Sequence, residues 1–136
     1  MIRILIVDDH ASIRDSFRSA FEQYDDLKVV GSVADAAFAL FFCRDKQPDL
    51  VLMDICTDGG ASGLAATEKI KEAFPAIKVV VMTGFDEVTY MPRAKACGAD
   101  AFVEKGQNMT FFIQVIRDVM DGKSYFPEQK AIPVQP

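Results

Sequence analysis

The sequence predicts an α/β fold: a doubly wound, five-stranded parallel sheet with five helices. Short apolar runs of strand length alternate five times with longer segments whose apolar residues recur at helical spacing. The strand runs are almost continuously apolar, which is typical of parallel strands buried on both faces. Strand–helix–strand units of this size form parallel neighbours joined by right-handed crossovers.

The five predicted strands share a composition rich in valine, isoleucine and leucine. They are Ile2–Val7, Leu27–Val30, Leu50–Met53, Ile77–Met82 and Ala101–Val103. The flavodoxin-like strand order 2-1-3-4-5 suits five such strands, and it places the first and third strands side by side at the switch point where ligands bind.

The five predicted helices connect or follow these strands. They are about Ala11–Tyr24, about Ala34–Lys46, about Gly63–Phe74, one that ends at Cys97, and Met109–Met120. A proline inside a helix costs ~3 kcal/mol, so the fourth helix is predicted to begin near Pro92, which leaves Phe85–Met91 as a long loop. Gly98 and Gly122 are predicted helix stops, Gly98 with a left-handed C-cap.

Several phenylalanines at helical spacings are predicted to be mostly core: Phe38, Phe41, Phe42, Phe111 and Phe112.

Length and composition limit the function classes. The 136 residues suffice for one domain, and no apolar run is long enough to span a membrane. The first residues are predicted to enter a strand directly, so no signal peptide is expected. The three cysteines lack metal-ligand spacing and are expected to be reduced thiols in a cytoplasmic protein. The net charge of −5 and the absence of a basic stripe argue against DNA binding by this segment itself.

Charged and polar side chains follow four of the predicted strands. Asp8 and Asp9 follow the first strand and Asp54 the third, so the strand order brings three carboxylates into one crevice. Clustered carboxylates repel, and Mg²⁺, a hard ion with oxygen ligands, relieves that repulsion. Thr83 and Lys105 at the ends of the last two strands add a hydroxyl and an ammonium group. Together these groups indicate a phosphoryl site.

Four motifs in this order carry a resemblance to a known family. They are Val7-Asp8-Asp9-His10, Asp49-Leu50-Val51-Leu52-Met53-Asp54, Met82-Thr83-Gly84 and Phe102-Val103-Glu104-Lys105. From Arg3 to about Phe126 the chain resembles the receiver domain of bacterial two-component response regulators. The closer likeness is to the NarL/LuxR type, whose receivers often carry Lys-Gly where this chain has Lys105-Gly106.

The resemblance implies a phosphoacceptor. Asp54 would take a phosphoryl group from a sensor histidine kinase. Asp8 and Asp9 would hold Mg²⁺, or Mn²⁺, together with Asp54 and the backbone carbonyl of Cys56. Lys105 would pair with the phosphoryl oxygens. Such a chain is not an enzyme with a separate substrate, but it promotes its own phosphotransfer and dephosphorylation.

The resemblance also implies a switch and an output. Thr83 would move toward the phosphoryl group, and Phe102 would follow it inward as the aromatic switch. Residues 1–122 would be the receiver and residues 123–136, proline-bearing and polar, a linker or tail. The expected partners are the kinase, a second copy of the chain on phosphorylation, and DNA only through a helix-turn-helix domain outside this chain.

Several other interpretations of the same residues stay open. A phosphatase of the haloacid dehalogenase type also uses a strand-end aspartate, but it needs an Asp-x-Asp arrangement, and here Asp8 and Asp9 are adjacent. The loop Cys56–Gly63 lacks the usual Met-Pro-Gly, which allows a pseudo-receiver that acts only by protein–protein interaction. A stand-alone receiver without an output domain is a further alternative. His10, the only histidine, is interpreted as a polar residue at the start of the first helix and not as a catalyst.

Overall fold

Five parallel strands form one sheet in the order β2-β1-β3-β4-β5. The computed structural model describes residues 1–55, 62–84 and 90–127. The strands are β1 (Ile2–Val7), β2 (Leu27–Val33), β3 (Leu50–Asp54), β4 (Lys78–Thr83) and β5 (Ala101–Glu104). The helices are α1 (Ala11–Phe21), α2 (Ala39–Lys46), α3 (Gly63–Ala73), α4 (Met91–Ala96) and α5 (Met109–Met120), with a 3₁₀ turn at Ala36–Phe38 before α2. The predicted fold class and strand order are confirmed.

The boundaries of β2 and of the helix after it differ from the prediction, and α2 begins at Ala39 instead of about Ala34. Strand β2 continues to Val33, three residues beyond its predicted end, and its register against β1 shifts between Ile4 and Leu5. Gly31 lies at this shift, where a β-carbon would come within 2.9 Å of the Leu5 side chain. A glycine inside a strand often marks such a bulge, and the predicted strand stopped at Val30, directly before this glycine.

The hydrophobic core lies on both faces of the sheet, because successive strand residues point to opposite sides. Ile4 and Ile6 of β1 pack with α1 and α5, whereas Leu5 and Val7 pack with α2, α3 and α4. Each of these four side chains is completely buried. The helices thus cover both faces of the sheet, and none of the described helices covers the carboxyl ends of the strands.

The prediction that five phenylalanines are mostly core is wrong for two of them. Phe112 is buried, and Phe42 and Phe111 are half-buried. Phe38 and Phe41 are 58% and 59% exposed. The predicted single helix is divided at Phe38 into a 3₁₀ turn and α2. This break changes which residues face the core. Ala39 and Cys43 are buried on the inner face of α2 instead of the two phenylalanines.

The predictions around α4 and the helix stops are confirmed. Helix α4 begins at Met91, directly before Pro92, so the proline lies in the first turn where a missing N–H costs little. Gly98 and Gly122 have φ angles of +91° and +90°, which are left-handed conformations that glycine adopts without strain. Residues 85–89 of the predicted loop lie outside the described residues.

The residues that follow α5 return to the sheet. Tyr125 forms a parallel bridge with Ala101 of β5, and the Phe102 backbone N–H donates a 2.8 Å hydrogen bond to the Tyr125 carbonyl. The chain at Tyr125 therefore lies along the outer side of β5. The division into a receiver at 1–122 and a linker at 123–136 stays a prediction. Among the described residues, no helix combines the length and the apolarity needed to cross a membrane.

We expect Phe112→Ala to lower the free energy of unfolding by about 3–5 kcal/mol, because it leaves a cavity in a well-packed core. The Phe112 side chain is 1% exposed and its ring lies edge-on to Phe17 at 5.0 Å. Phe41→Ala makes the same chemical change at an exposed site and should cost about 1 kcal/mol or less. Urea unfolding of both variants measures the difference. Equal losses would show that the assignment of core and surface is wrong.

Candidate functional site

The carboxyl ends of four strands bring the predicted site residues to one edge of the sheet. In the strand register, Val7 lies beside Met53, Asp54 beside Met82, and Thr83 beside Glu104. Asp8 follows β1, Asp54 ends β3, Thr83 ends β4 and Lys105 follows β5. Adjacent parallel strands are about 4.8 Å apart, so side chains at these ends are within contact distance.

Three aspartates form the acidic cluster of this edge: Asp8, Asp9 and Asp54. Asp8 is completely buried, Asp54 is 3% exposed, and the Asp9 side chain is 16% exposed. One carboxylate oxygen of each, together with a ring nitrogen of His10, lies within 4.8 Å of the others. The acidic cluster expected from the sequence is therefore present as one compact set of donors.

Lys105 supplies the main positive charge next to the acidic cluster. Its Nζ lies 2.8 Å from Asp8 Oδ2 and 3.1 Å from Asp54 Oδ2, so one ammonium bridges two strands. Burial of the ammonium opposes its charged form, but the hydrogen bond and the charge of Asp8 and Asp54 outweigh burial and raise the pKa of Lys105. Because this pKa is raised, the ion pairs stabilise the fold at neutral pH, and that stabilisation is lost only as the pH rises through the folded-state pKa.

The donor set fits a hard divalent cation. Three carboxylates against one ammonium leave the edge with excess negative charge when all are ionised, and Mg²⁺ prefers oxygen ligands of this kind. Asp9 Oδ1 is buried and accepts no hydrogen bond from the described residues; its close neighbour is the His10 ring at 3.0 Å. A buried carboxylate oxygen without a hydrogen bond is a position at which a metal ion or its water would be bound.

Two residues contact the acidic cluster that the sequence interpretation did not place there. His10 lies at the start of α1, as expected, but its backbone N–H also donates to Asp8 Oδ1 at 2.9 Å. Its Nδ1 lies 3.0 Å from Asp8 Oδ1 and 3.0 Å from Asp9 Oδ1. Arg14 donates a 2.6 Å hydrogen bond to the Asp8 carbonyl oxygen, which fixes the backbone of the strand end. In the sequence, the one indication of the contact between Arg14 and Asp8 was that Arg14 lies one helical turn after His10.

Thr83 and Phe102 are both completely buried. The Thr83 hydroxyl donates to the Gly84 carbonyl at 3.0 Å, and the Thr83 carbonyl accepts from the Lys105 backbone N–H at 2.8 Å. Phe102 belongs to the core cluster on the α2–α3–α4 face. Its position agrees with a core role and with a switch role alike, so the switch role stays a prediction.

Helix α3 begins in direct contact with the backbone of Asp54. The Ser62 hydroxyl caps this helix by accepting hydrogen bonds from the N–H groups of Leu64 and Ala65. A β-carbon on Gly63 would lie 1.9 Å from the Asp54 carbonyl oxygen, so only glycine permits this approach. Cys56, whose carbonyl is the expected fourth metal ligand, lies outside the described residues.

Gly63→Ala should therefore push α3 away from β3 and destabilise the protein by about 1–3 kcal/mol, the usual cost of overpacking. Gly106→Ala is the matched control, because a β-carbon there meets nothing within 4 Å. Urea unfolding measures both costs. If the two substitutions cost the same, the close approach of α3 to Asp54 does not exist in solution.

Comparison with known sequences places the chain in a family. Residues 4–117 match the model of the response regulator receiver domain. Oxygen regulatory protein NreC of Staphylococcus carnosus is 35% identical over 124 residues, which are 91% of this chain and 57% of that protein. The chain thus spans little more than half the length of this curated relative.

Comparison with solved structures agrees with the sequence comparison. A LuxR-family two-component response regulator from Aurantimonas sp. SI85-9A1 superposes with a TM-score of 0.85 and 29% identity, covering 92% of this chain and 89% of that one. A CheY-like receiver domain protein from Methanospirillum hungatei JF-1 gives a TM-score of 0.81 and 28% identity, covering 90% and 95%. The NarL/LuxR likeness inferred from the motifs is confirmed, and the chain belongs to the response regulator receiver domain family.

Proposed function

We propose that Asp54 accepts a phosphoryl group from a sensor histidine kinase and that the receiver then changes conformation to control transcription through a domain outside this chain. The observation that carries the proposal is the Lys105 ammonium, held between Asp8 and Asp54 by contacts of 2.8 and 3.1 Å. An ammonium beside a nucleophilic carboxylate is suitably placed to bind the oxygens of an incoming phosphoryl group.

The chemical step needs no general base. An ionised carboxylate is already a nucleophile at neutral pH. An oxygen of Asp54 attacks phosphorus as the bond between phosphorus and the donor imidazole nitrogen breaks. The electron pair of that bond returns to the imidazole, which takes a proton from solvent, and an aspartyl phosphate results. The charge on the phosphoryl oxygens is met by Lys105.

Asp54 is favoured over Asp8 as the acceptor. The Asp8 carboxylate is completely buried and accepts a hydrogen bond from the His10 backbone N–H, which favours a role as metal ligand over a role as nucleophile. Asp54 ends the central strand β3, with the acids of β1 on one side and Thr83 of β4 on the other. The central position gives it access to every group that phosphoryl transfer requires.

Mg²⁺ is the proposed cofactor, with Mn²⁺ as a substitute. Asp8, Asp9 and Asp54 would hold it, together with the carbonyl of Cys56. When bound, the metal ion neutralises charge on the transferring phosphoryl group. The chain's own part is to present three carboxylates in a fixed, largely buried arrangement whose mutual repulsion a cation relieves.

The output follows from the family and from the charge of the chain. NreC is by its name a regulatory protein, and it is longer than this chain. A receiver with a net charge of −5 is unsuited to bind DNA phosphates itself. We therefore assign DNA binding to a helix-turn-helix domain beyond residue 136, with homodimerisation on phosphorylation as the route to a paired DNA site. A cytoplasmic location agrees with a kinase partner and a transcriptional output.

We expect acetyl phosphate with Mg²⁺ to add one phosphoryl group to the protein, and Asp54→Asn to abolish the addition, since an amide is not a nucleophile of this kind. Intact-mass spectrometry measures the product. Asp45→Asn is the matched control, because this acid is exposed on α2 away from the site. Phosphorylation of Asp54→Asn at the level of the control would overturn the assignment.

Asp9→Asn should weaken Mg²⁺ binding about tenfold or more, because it removes a ligand charge. Without metal, the same substitution should raise the melting temperature by about 2–4 °C, roughly 0.5–1 kcal/mol, because it relieves like-charge repulsion. Thermal unfolding with and without Mg²⁺ gives both values, with Asp45→Asn again as control. A metal-free Asp9→Asn that melts below the wild type contradicts the crowded-carboxylate argument.

A further inference from the structure

Residues 123–127, which we call the C-terminal segment, close the outer edge of β5. Strand β5 pairs with β4 on its inner side, and its outer side would otherwise expose unpaired backbone groups. The C-terminal segment meets this edge through the bridge between Ala101 and Tyr125 and through two backbone hydrogen bonds. The Phe102 N–H donates to the Tyr125 carbonyl at 2.8 Å, and the Tyr125 N–H donates to the Asp100 carbonyl at 3.4 Å.

Two aromatic side chains of the C-terminal segment pack on opposite faces of the sheet. The Tyr125 ring packs edge-on against Phe111 of α5, with the ring centres 5.2 Å apart. Phe126 packs on the opposite face, against the core cluster that contains Phe102, and the Lys95 ammonium of α4 lies 5.0 Å from the centre of its ring. The C-terminal segment therefore contacts α4, β5 and α5 at once.

Phe102, the expected aromatic switch, donates a backbone hydrogen bond to the C-terminal segment. Phe102 contacts Tyr125 through its backbone, and its side chain lies in the core cluster against which Phe126 packs. Directly after β5, the Lys105 N–H donates to the carbonyl of Thr83. Phe102 pairs with Val81 in the register of β4 and β5, two residues before Thr83 and on the same face of the sheet. Thr83 and Phe102 thus lie on one face of neighbouring strands between the acidic cluster and Tyr125.

We propose that the C-terminal segment is a phosphorylation-controlled strap that carries the state of Asp54 to the chain after residue 127. This inference rests on the proposed function. When the Thr83 hydroxyl leaves the Gly84 carbonyl for a phosphoryl oxygen, it vacates space beside Phe102. The Phe102 ring turns into that space, the core cluster against which Phe126 packs rearranges, and the C-terminal segment loosens from the outer side of β5.

The hold on the C-terminal segment is weak enough for such control. It consists of one bridge, two aromatic side chains that are only half-buried, and a cation–π contact with the partly solvated Lys95. Segments with few buried contacts open at much lower cost than the core strands. A change in one neighbouring ring is therefore sufficient to alter the population of the docked form.

The exchange rate of the Phe102 amide hydrogen measures this docking directly, because that hydrogen is bonded to Tyr125. The whole 136-residue chain is compared with and without Mg²⁺ and beryllofluoride by NMR, with ¹⁹F signals to record beryllofluoride binding. We expect exchange at Phe102 to accelerate tenfold or more when beryllofluoride binds. In Thr83→Ala we expect beryllofluoride to bind while the exchange rate stays at its unmodified value.

A pair of phenylalanine substitutions tests the strap without any phosphoryl analogue. Phe126→Ala should accelerate exchange at Phe102 in the unmodified protein, whereas Phe41→Ala, at an exposed position on α2, should not. Beryllofluoride binding with an unchanged or slowed Phe102 exchange overturns the strap and leaves the proposed function standing. Failure of beryllofluoride to bind overturns both. Equal exchange in the two alanine variants also overturns the strap.

Discussion

The bridge from Lys105 to Asp8 and Asp54 is the interaction on which the site depends. Without it, buried carboxylates at the ends of β1 and β3 would face each other with little compensating charge, and burial makes such repulsion expensive. The ammonium lowers that cost but leaves excess negative charge on the edge. The remaining negative charge favours the binding of a divalent cation.

The strand order determines which groups share that edge. Because β1 and β3 are neighbours and α1 and α3 lie on opposite faces, the described parts of the two crossovers diverge beyond the carboxyl ends of these strands. Gly63 then brings the start of α3 against the Asp54 carbonyl, and Arg14 of α1 holds the Asp8 carbonyl from the other face. The acids are thus positioned from both sides by backbone contacts, which keep their carboxylates together at the carboxyl ends of β1 and β3.

The sequence predicted the fold and the composition of the acidic cluster, since both follow from strand-end positions and a strongly periodic pattern. It did not predict the bulge at Gly31, because a glycine in a strand looks like a turn, nor the exposure of Phe38 and Phe41, because a break in a helix changes which residues face inward. The contacts of His10 and Arg14 depend on side-chain rotamers, and the clearance at Gly63 depends on the distance between two elements. Neither quantity is encoded in residue spacing.

The outer strand β5 is a physically favourable place for a conformational change in this domain. Strands β1, β3 and β4 each pair on both sides, so displacing any of them would break two ladders. Strand β5 has one full neighbour, and its second side is closed only by the C-terminal segment. The Lys105 backbone N–H donates to the Thr83 carbonyl, and the Lys105 ammonium lies between Asp8 and Asp54. A rearrangement beside Thr83 therefore affects the outer strand β5 and the acidic cluster together, because Lys105 contacts both.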